Sequence, residues 1–195
     1  MSDAEWSEFI EKLKKVVRDN CQEQLASGQT QIILKEMDPA ARGKMDKVTI
    51  EGFAAPFFVV FPDKAKPELC SLLAKGDYQM AVDALIFLRF RGKKYLLVCD
   101  LKSSLGRTIL KKLKQQMRNS EAIAEFLFRL VKSHHGIQSK GWNVRYVVIT
   151  PRTLKKPKTR NTGLKSGTSI ERPKEIAVQN GASVEIGKLC QPFEG

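Results

Sequence analysis

Three charged residues stand where charge is costly. Asp100 and Lys102 close the most apolar run of the chain, Lys94 to Leu101, and Asp83 is the one charge among the first eight residues of the run before it, Ala81 to Phe90. A charge on an apolar strand is expensive unless something compensates it. With 21 acids and 23 lysines, roughly two or three acid-x-Lys triplets would arise by chance. The chain contains one, Asp100-Leu101-Lys102. Side chains two apart on a strand share a face, so Asp100 and Lys102 stand side by side. Arg91-Gly92 separates the two runs and reads as a hairpin turn. Across a two-residue turn, positions whose numbers sum to 183, as 91 and 92 do, face each other, which sets Asp83 opposite Asp100. Opposed strand residues have Cβ atoms about 4.5–5.5 Å apart. Two carboxylates that close repel. A divalent cation between them removes the penalty, and carboxylate oxygens are what Mg²⁺ prefers. A three-residue loop would shift the pairing by one. The competing reading is structural: a buried salt bridge between Asp83 and Lys102, with Asp100 capping the following loop.

The elements that must position these residues follow from periodicity. Trp6, Phe9, Ile10, Leu13, Val16, Val17 and Leu25 recur at helical steps, and Gly28 closes that helix. Gln31 to Leu34 is a short apolar run of either type, and Asp38, Pro39, Arg42 and Gly43 mark a loop. Val48 to Glu51 and Phe57 to Phe61 read as strands, and a short helix is expected after Pro67, ending near Gly76. The two central runs are too apolar for a sheet with a wet face, so helices are expected on both sides. A long amphipathic helix spans about Thr108 to Lys132, with Leu113, Gln116 and Ser120 on one face. Trp142 to Thr150 is another buried strand, and Glu175 to Gln179 and Ser183 to Ile186 flank Asn180-Gly181, a type I′ turn signal. The order is that of an α/β layered domain with a mixed sheet.

The net charge of +13 is confined to one block: residues 102–175 carry 18 basic and 4 acidic side chains, whereas residues 1–101 carry 15 of each. Such a block is an electrostatic footprint for a polyanion; a solvated face is the plainer alternative. Lys111, Lys112, Lys114 and Arg118 on the long helix and Lys155, Lys156, Lys158 and Arg160 in a segment that reads as a mobile basic loop are the candidate phosphate contacts. His134-His135 before Gly136 reads as a helix C-terminal cap. Trp6 and Trp142 read as core. The four separated cysteines, Cys21, Cys70, Cys99 and Cys190, form no Cys-x-x-Cys pair, so buried reduced thiols in a cytoplasmic protein are expected rather than a zinc ribbon. No secretory signal is expected, and no run approaches the ~20 apolar residues of a membrane span.

Asp83, then Asp100-Leu101-Lys102 on the next strand, resembles the PD-(D/E)XK nuclease superfamily. Its core order of helix, hairpin-rich sheet, helix and strand matches about residues 5–150. Gln116-Met117 looks like the Gln that many members carry on the following helix. Glu23, with Glu8 and Glu11 as alternatives, is similar to the metal-binding Glu that some place on the first helix. Val82 stands where the family often has Pro, and Asp100 where it more often has Glu. The resemblance implies a restriction-endonuclease-like three-layer core over residues 1–150, a mixed sheet flanked by helices. The basic loop 151–174 and C-terminal strands 175–195 complete the same domain. It further implies phosphodiester hydrolysis, as in restriction or antiphage-defence effectors, with Mg²⁺ or Mn²⁺ held by Asp83, Asp100 and Glu23. Lys102 would act on charge developing at the phosphate, and Gln116 would orient water or backbone. The expected partner is nucleic acid, DNA before RNA, with a second copy or a separate specificity or activating chain supplying the target. The alternative is a non-catalytic nucleic-acid-binding or interaction subunit that retains the nuclease fold.

Overall fold

The central hairpin forms as its turn demands. In the computed structural model, which describes residues 2–23, 28–35, 46–65, 80–138, 140–152 and 167–191, Arg91 and Gly92 adopt positive φ of 48° and 74°, the conformation of a type I′ turn. Strands β4 (Ala84–Phe90) and β5 (Lys93–Leu101) pair antiparallel from Phe90↔Lys93 to Ala84↔Cys99. Every pair sums to 183, the register that the two-residue turn dictates. Strand β3 (Phe58–Val60) extends the meander beside β4, while β6 (Asn143–Pro151) and β7 (Lys174–Val178) add in parallel beyond β5. A parallel neighbour needs a crossover, supplied by helix α2 (Arg107–His135). The result is a mixed five-stranded sheet in the order β3-β4-β5-β6-β7.

Alternation sorts the side chains onto two faces. Leu85, Phe87, Leu96, Val98 and Val148 pack under α1 (Asp3–Val16) and α2, together with Trp6, Phe9, Leu113, Met117 and Trp142. Trp6 donates its indole N–H to Pro56 O (2.8 Å), and both tryptophans belong to this core. The other face, with Ile86, Leu88, Leu97, Cys99 and Ile149, is covered by a second sheet together with one short helix. That sheet has the order β1-β2-β8, from β1 (Gln31–Lys35), β2 (Lys47–Glu51) and β8 (Ser183–Glu185), joined by the short helix α3 (Ile186–Cys190). The expectation of helices on both faces therefore holds only in part: α3 brings Ile186, Leu189 and Cys190 to this face, and strands cover the rest. β1 and β2 each bury only alternate residues, Ile32 and Leu34, Val48 and Ile50. A strand pair with one apolar face covers a sheet as well as a helix does. The layers are helices, five-stranded sheet, three-stranded sheet.

Three local expectations are revised. Helix α1 stops at Val16, short of Leu25, because Gln22 is buried and its side-chain amide donates to Lys14 O and Val17 O. That satisfies the orphan carbonyls of the last turn. Asn180-Gly181 does not close a hairpin: β7 and β8 lie in different sheets, and Asn180 Oδ1 accepts from the Asp46 and Lys47 N–H groups. Part of the basic loop is folded. Gly167 sits at φ 65°, where a Cβ would stand 2.8 Å from Lys174 Cβ, and its carbonyl accepts from Tyr146 N–H (2.8 Å). Helix α2 ends where His134-His135 suggests, at a left-handed Gly136 whose N–H donates to Lys132 O. The helix expected after Pro67 and the loop at Asp38–Gly43 lie outside the described residues.

Candidate active site

The ladder between β4 and β5 ends one residue short of the acids. Beyond Ala84↔Cys99 the chain bends at Asp83, and the Asp83 side chain takes over as acceptor: Leu101 N–H donates to Asp83 Oδ2 at 2.6 Å. Leu101 is the middle residue of Asp100-Leu101-Lys102, so the first acid is tied to the backbone of the second acid and the lysine. The Lys102 N–H donates in turn to Ile149 O on β6 (2.9 Å). The Lys102 ammonium pairs with Asp100 Oδ2, so the lysine's partner is Asp100 and not the Asp83 of the plain-salt-bridge alternative. Asp100 has no exposed surface, while the Lys102 side chain keeps 20% of its own. Burial pushes the neighbouring Cys99 thiol well up from its ordinary value, and the charges of Cys190, Asp100 and Asp83 push it further. Burial likewise raises Cys190 to about 12, so these thiols are inert. Cys21 is also a buried thiol, donating to Asn20 Oδ1 at 3.2 Å, and Cys70 lies outside the described residues.

Asp83 faces a cleft of about 300 Å³ that it shares with Glu23. Glu23 lies just past a 3₁₀ turn at Asp19–Cys21 rather than on α1, and its N–H donates to Val59 O on β3 (3.1 Å). Of the three first-helix candidates, Glu23 is the one on the cleft. Glu11 pairs with Lys14, and Glu8 is exposed on α1. The cleft is completed by Gln29, Gln31, Ile33, Leu34 and Lys35 from the region of β1 and by Phe61 and Lys64 after β3. Asp100 and Lys102 stand behind it and do not line it. Among the described residues no three His, Cys, Asp or Glu side chains gather as a metal centre. Two carboxylates, Glu23 and Asp83, on one cleft are a donor set of the kind Mg²⁺ takes, since it is commonly held by one or two carboxylates and keeps several waters.

Helix α2 fixes the approach to Asp83 through three polar side chains on one face. Gln116 Nε2 donates to Ala81 O (2.8 Å), Asn119 Nδ2 donates to Met80 O (2.7 Å), and the Ser120 hydroxyl accepts from Val82 N–H (3.0 Å). Gln115 orients Asn119 by donating to its Oδ1. Gln116 thus points at the sheet as its spacing predicts, but it holds backbone beside Asp83 instead of reaching the cleft. Asn119 and the buried Ser120 were missed by sequence reasoning. The available signal was a polar Ser on the apolar stripe of Leu113, Met117 and Ala124.

The basic residues divide as well. Lys114 Nζ and Arg118 Nη2 both engage Glu171, at 2.5 and 2.8 Å, which docks the segment after Gly167 onto α2. Lys114, by hydrogen bond and charge, and then Arg118 hold the Glu171 carboxyl below its usual range. Lys111 and Lys112 are exposed one turn earlier. Lys155, Lys156, Lys158 and Arg160 lie outside the described residues. Among the described residues no helix is long and apolar enough to cross a membrane. Compared with family models, curated proteins and solved structures, the chain matches none.

Proposed function

We propose that the chain is a metal-dependent nuclease of the PD-(D/E)XK type that hydrolyses phosphodiester bonds in DNA. The observation that carries this reading is the joint placement of four residues. Asp83 is bound to the backbone between Asp100 and Lys102, and it shares a cleft with Glu23. The helix, antiparallel meander, crossover helix and parallel strand of α1, β3–β5, α2 and β6 support it, being the order of a restriction-endonuclease-like core.

In this reading Glu23 and Asp83 hold Mg²⁺ at the cleft, with Asp100 behind them as the third acid. When bound, the ion supplies Lewis-acid polarisation of the phosphate and a more acidic water. The chain's own contribution is placement and charge. Asp83 is fixed by Leu101 N–H and by the α2 side chains that hold residues 80–82. Lys102, paired with Asp100 behind the cleft, would act from there on the charge that develops as the attacking oxygen bonds to phosphorus and the leaving oxygen departs. Lys111 and Lys112 hold flanking phosphates, which positions the strand without reading its sequence. Target selection falls to a second copy or a separate specificity chain.

One observation favours a second reading, a nucleic-acid-binding or interaction subunit with the same architecture: Asp100 is fully buried and Lys102 is engaged by it. Metal separates the two. An enzyme shows a Mn²⁺-dependent rise in melting temperature, because a ligand of the native state stabilises it, and degrades plasmid, linear duplex, single-stranded DNA or RNA only when Mn²⁺ is present. A binding module shows neither response.

A further inference from the structure

The cleft beside Asp83 has a second wall that the nuclease reading does not use. Strand β1 alternates exposed and buried residues, so Gln31, Ile33 and Lys35 form one row while Ile32 and Leu34 point into the core. All three of the row line the cleft with Glu23 and Asp83. Residues two apart on a strand are spaced about 6.8 Å, so an amide, an aliphatic face and an ammonium follow one another along the wall. β1 pairs with β2 alone among the described strands. Ile33 is 44% exposed, one of two large hydrophobic side chains so exposed among the described residues. The cleft lining also includes Lys64, whose ammonium lies 4.2 Å from the centre of the Phe61 ring.

We propose that this wall is a subsite for a single unstacked nucleotide, so that the protein acts on single-stranded DNA or frayed ends rather than inside an intact duplex. The inference rests on the nuclease reading and names its substrate class. A space of about 300 Å³ is at the low end for a ligand pocket: it takes one nucleotide and excludes a double helix. A base reaches such a space only by leaving its stack, which is costly in a duplex and least so in a single strand. Ile33 offers the apolar surface for the base face, and Gln31 an amide for its edge. Lys35 and Lys64 line the same cleft as the two carboxylates and offer cations for the flanking phosphates.

The test is fluorescence anisotropy of the full chain with a labelled ten-residue oligothymidine and with a labelled blunt hairpin duplex, both in EDTA so that no cleavage intervenes. An oligouridine arm separates DNA from RNA. The single strand is expected to bind at least tenfold tighter than the hairpin. Replacing both lysines (K35A with K64A) should weaken the single strand about tenfold, the scale of a lost charge-assisted contact, and the hairpin less than about twofold. Circular dichroism checks that the variant is folded, and Ile33→Ser repeats the test without altering charge. Equal affinity for the two DNA probes, or equal losses on both, overturns the subsite. Oligouridine binding tighter than oligothymidine overturns its assignment to DNA. Preferential single-strand binding with no Mn²⁺-dependent cleavage of any substrate upholds the subsite and overturns the nuclease reading. Cleavage of closed circular duplex as fast as single strands upholds the nuclease and overturns the subsite.

Discussion

Asp83 and Asp100 are facing positions one step beyond the last pair of the same hairpin, yet they occupy opposite environments. Asp83 lies at a bend, faces a cleft with Glu23, and is held by a backbone N–H. Asp100 lies within β5, between β4 and β6, has no exposed surface, and is held by a lysine. Strand position makes the difference. A side chain beyond the last ladder pair can turn toward solvent, whereas one inside a sheet must find its counter-charge among its neighbours. The two acids should therefore fail differently: loss at the Asp100 side costs stability, and loss at the Asp83 side costs function with little change in fold.

The largest effect is expected at Lys102. Lys102→Met strips the counter-charge from a fully buried carboxylate and should cost about 3 kcal/mol, the low end for breaking a buried pair, since a fifth of the lysine side chain reaches water. Urea unfolding measures it, and a loss under about 1 kcal/mol would mean the pair does not support the fold. Next is Ser120→Ala, which leaves the buried Val82 N–H without its acceptor and should cost about 1–3 kcal/mol; an unchanged unfolding midpoint would show that α2 does not hold this segment. Asp83→Asn is expected to be much milder. The amide oxygen still accepts from Leu101 N–H, so the loss should stay below about 1 kcal/mol, while the Mn²⁺-dependent rise in melting temperature disappears. A rise that persists in Asp83→Asn would move metal binding away from the cleft. The smallest effect separates the two groups of cations on α2. Replacing Lys111 and Lys112 with Ser should lower the slope of log affinity against log salt by about 0.7–0.9 per lost phosphate contact. The same change at Lys114 and Arg118 should lower it less, because Glu171 already engages both.

The part of this contrast that sequence carried was register. Two residues at a tight turn fix every facing pair in the hairpin, so the neighbourhood of Asp83, Asp100 and Lys102 followed from counting. Burial was less legible. Nothing local distinguishes an acid whose strand goes on pairing with β6, as at Asp100, from one just before its strand begins, as at Asp83, and residues 80–82 are held by α2 side chains more than thirty residues away. The second sheet escaped notice for a related reason. Its strands come from both ends of the chain, with β8 joining β2 in parallel, and a pairing that distant leaves no periodic mark. Asn180-Gly181 marked a turn, closed by Ala182 N–H to Gln179 O, but not the type I′ geometry, since Gly181 has positive φ and Asn180 does not, and it did not tell which sheet its strands enter. The charge block was read correctly as a concentration of cations, yet Glu171 within it turned two of them into an internal clasp.

The central claim is that the cleft carboxylates work together with the buried Asp100–Lys102 pair in cutting DNA. Its most direct test is Mn²⁺-dependent cleavage of end-labelled DNA by the wild-type chain, Asp83→Asn and Glu23→Gln, each first shown to be folded. The account predicts cleavage by the wild type that EDTA abolishes, none by Asp83→Asn, and a severe loss in Glu23→Gln. Wild-type rates in a folded Asp83→Asn protein would contradict it.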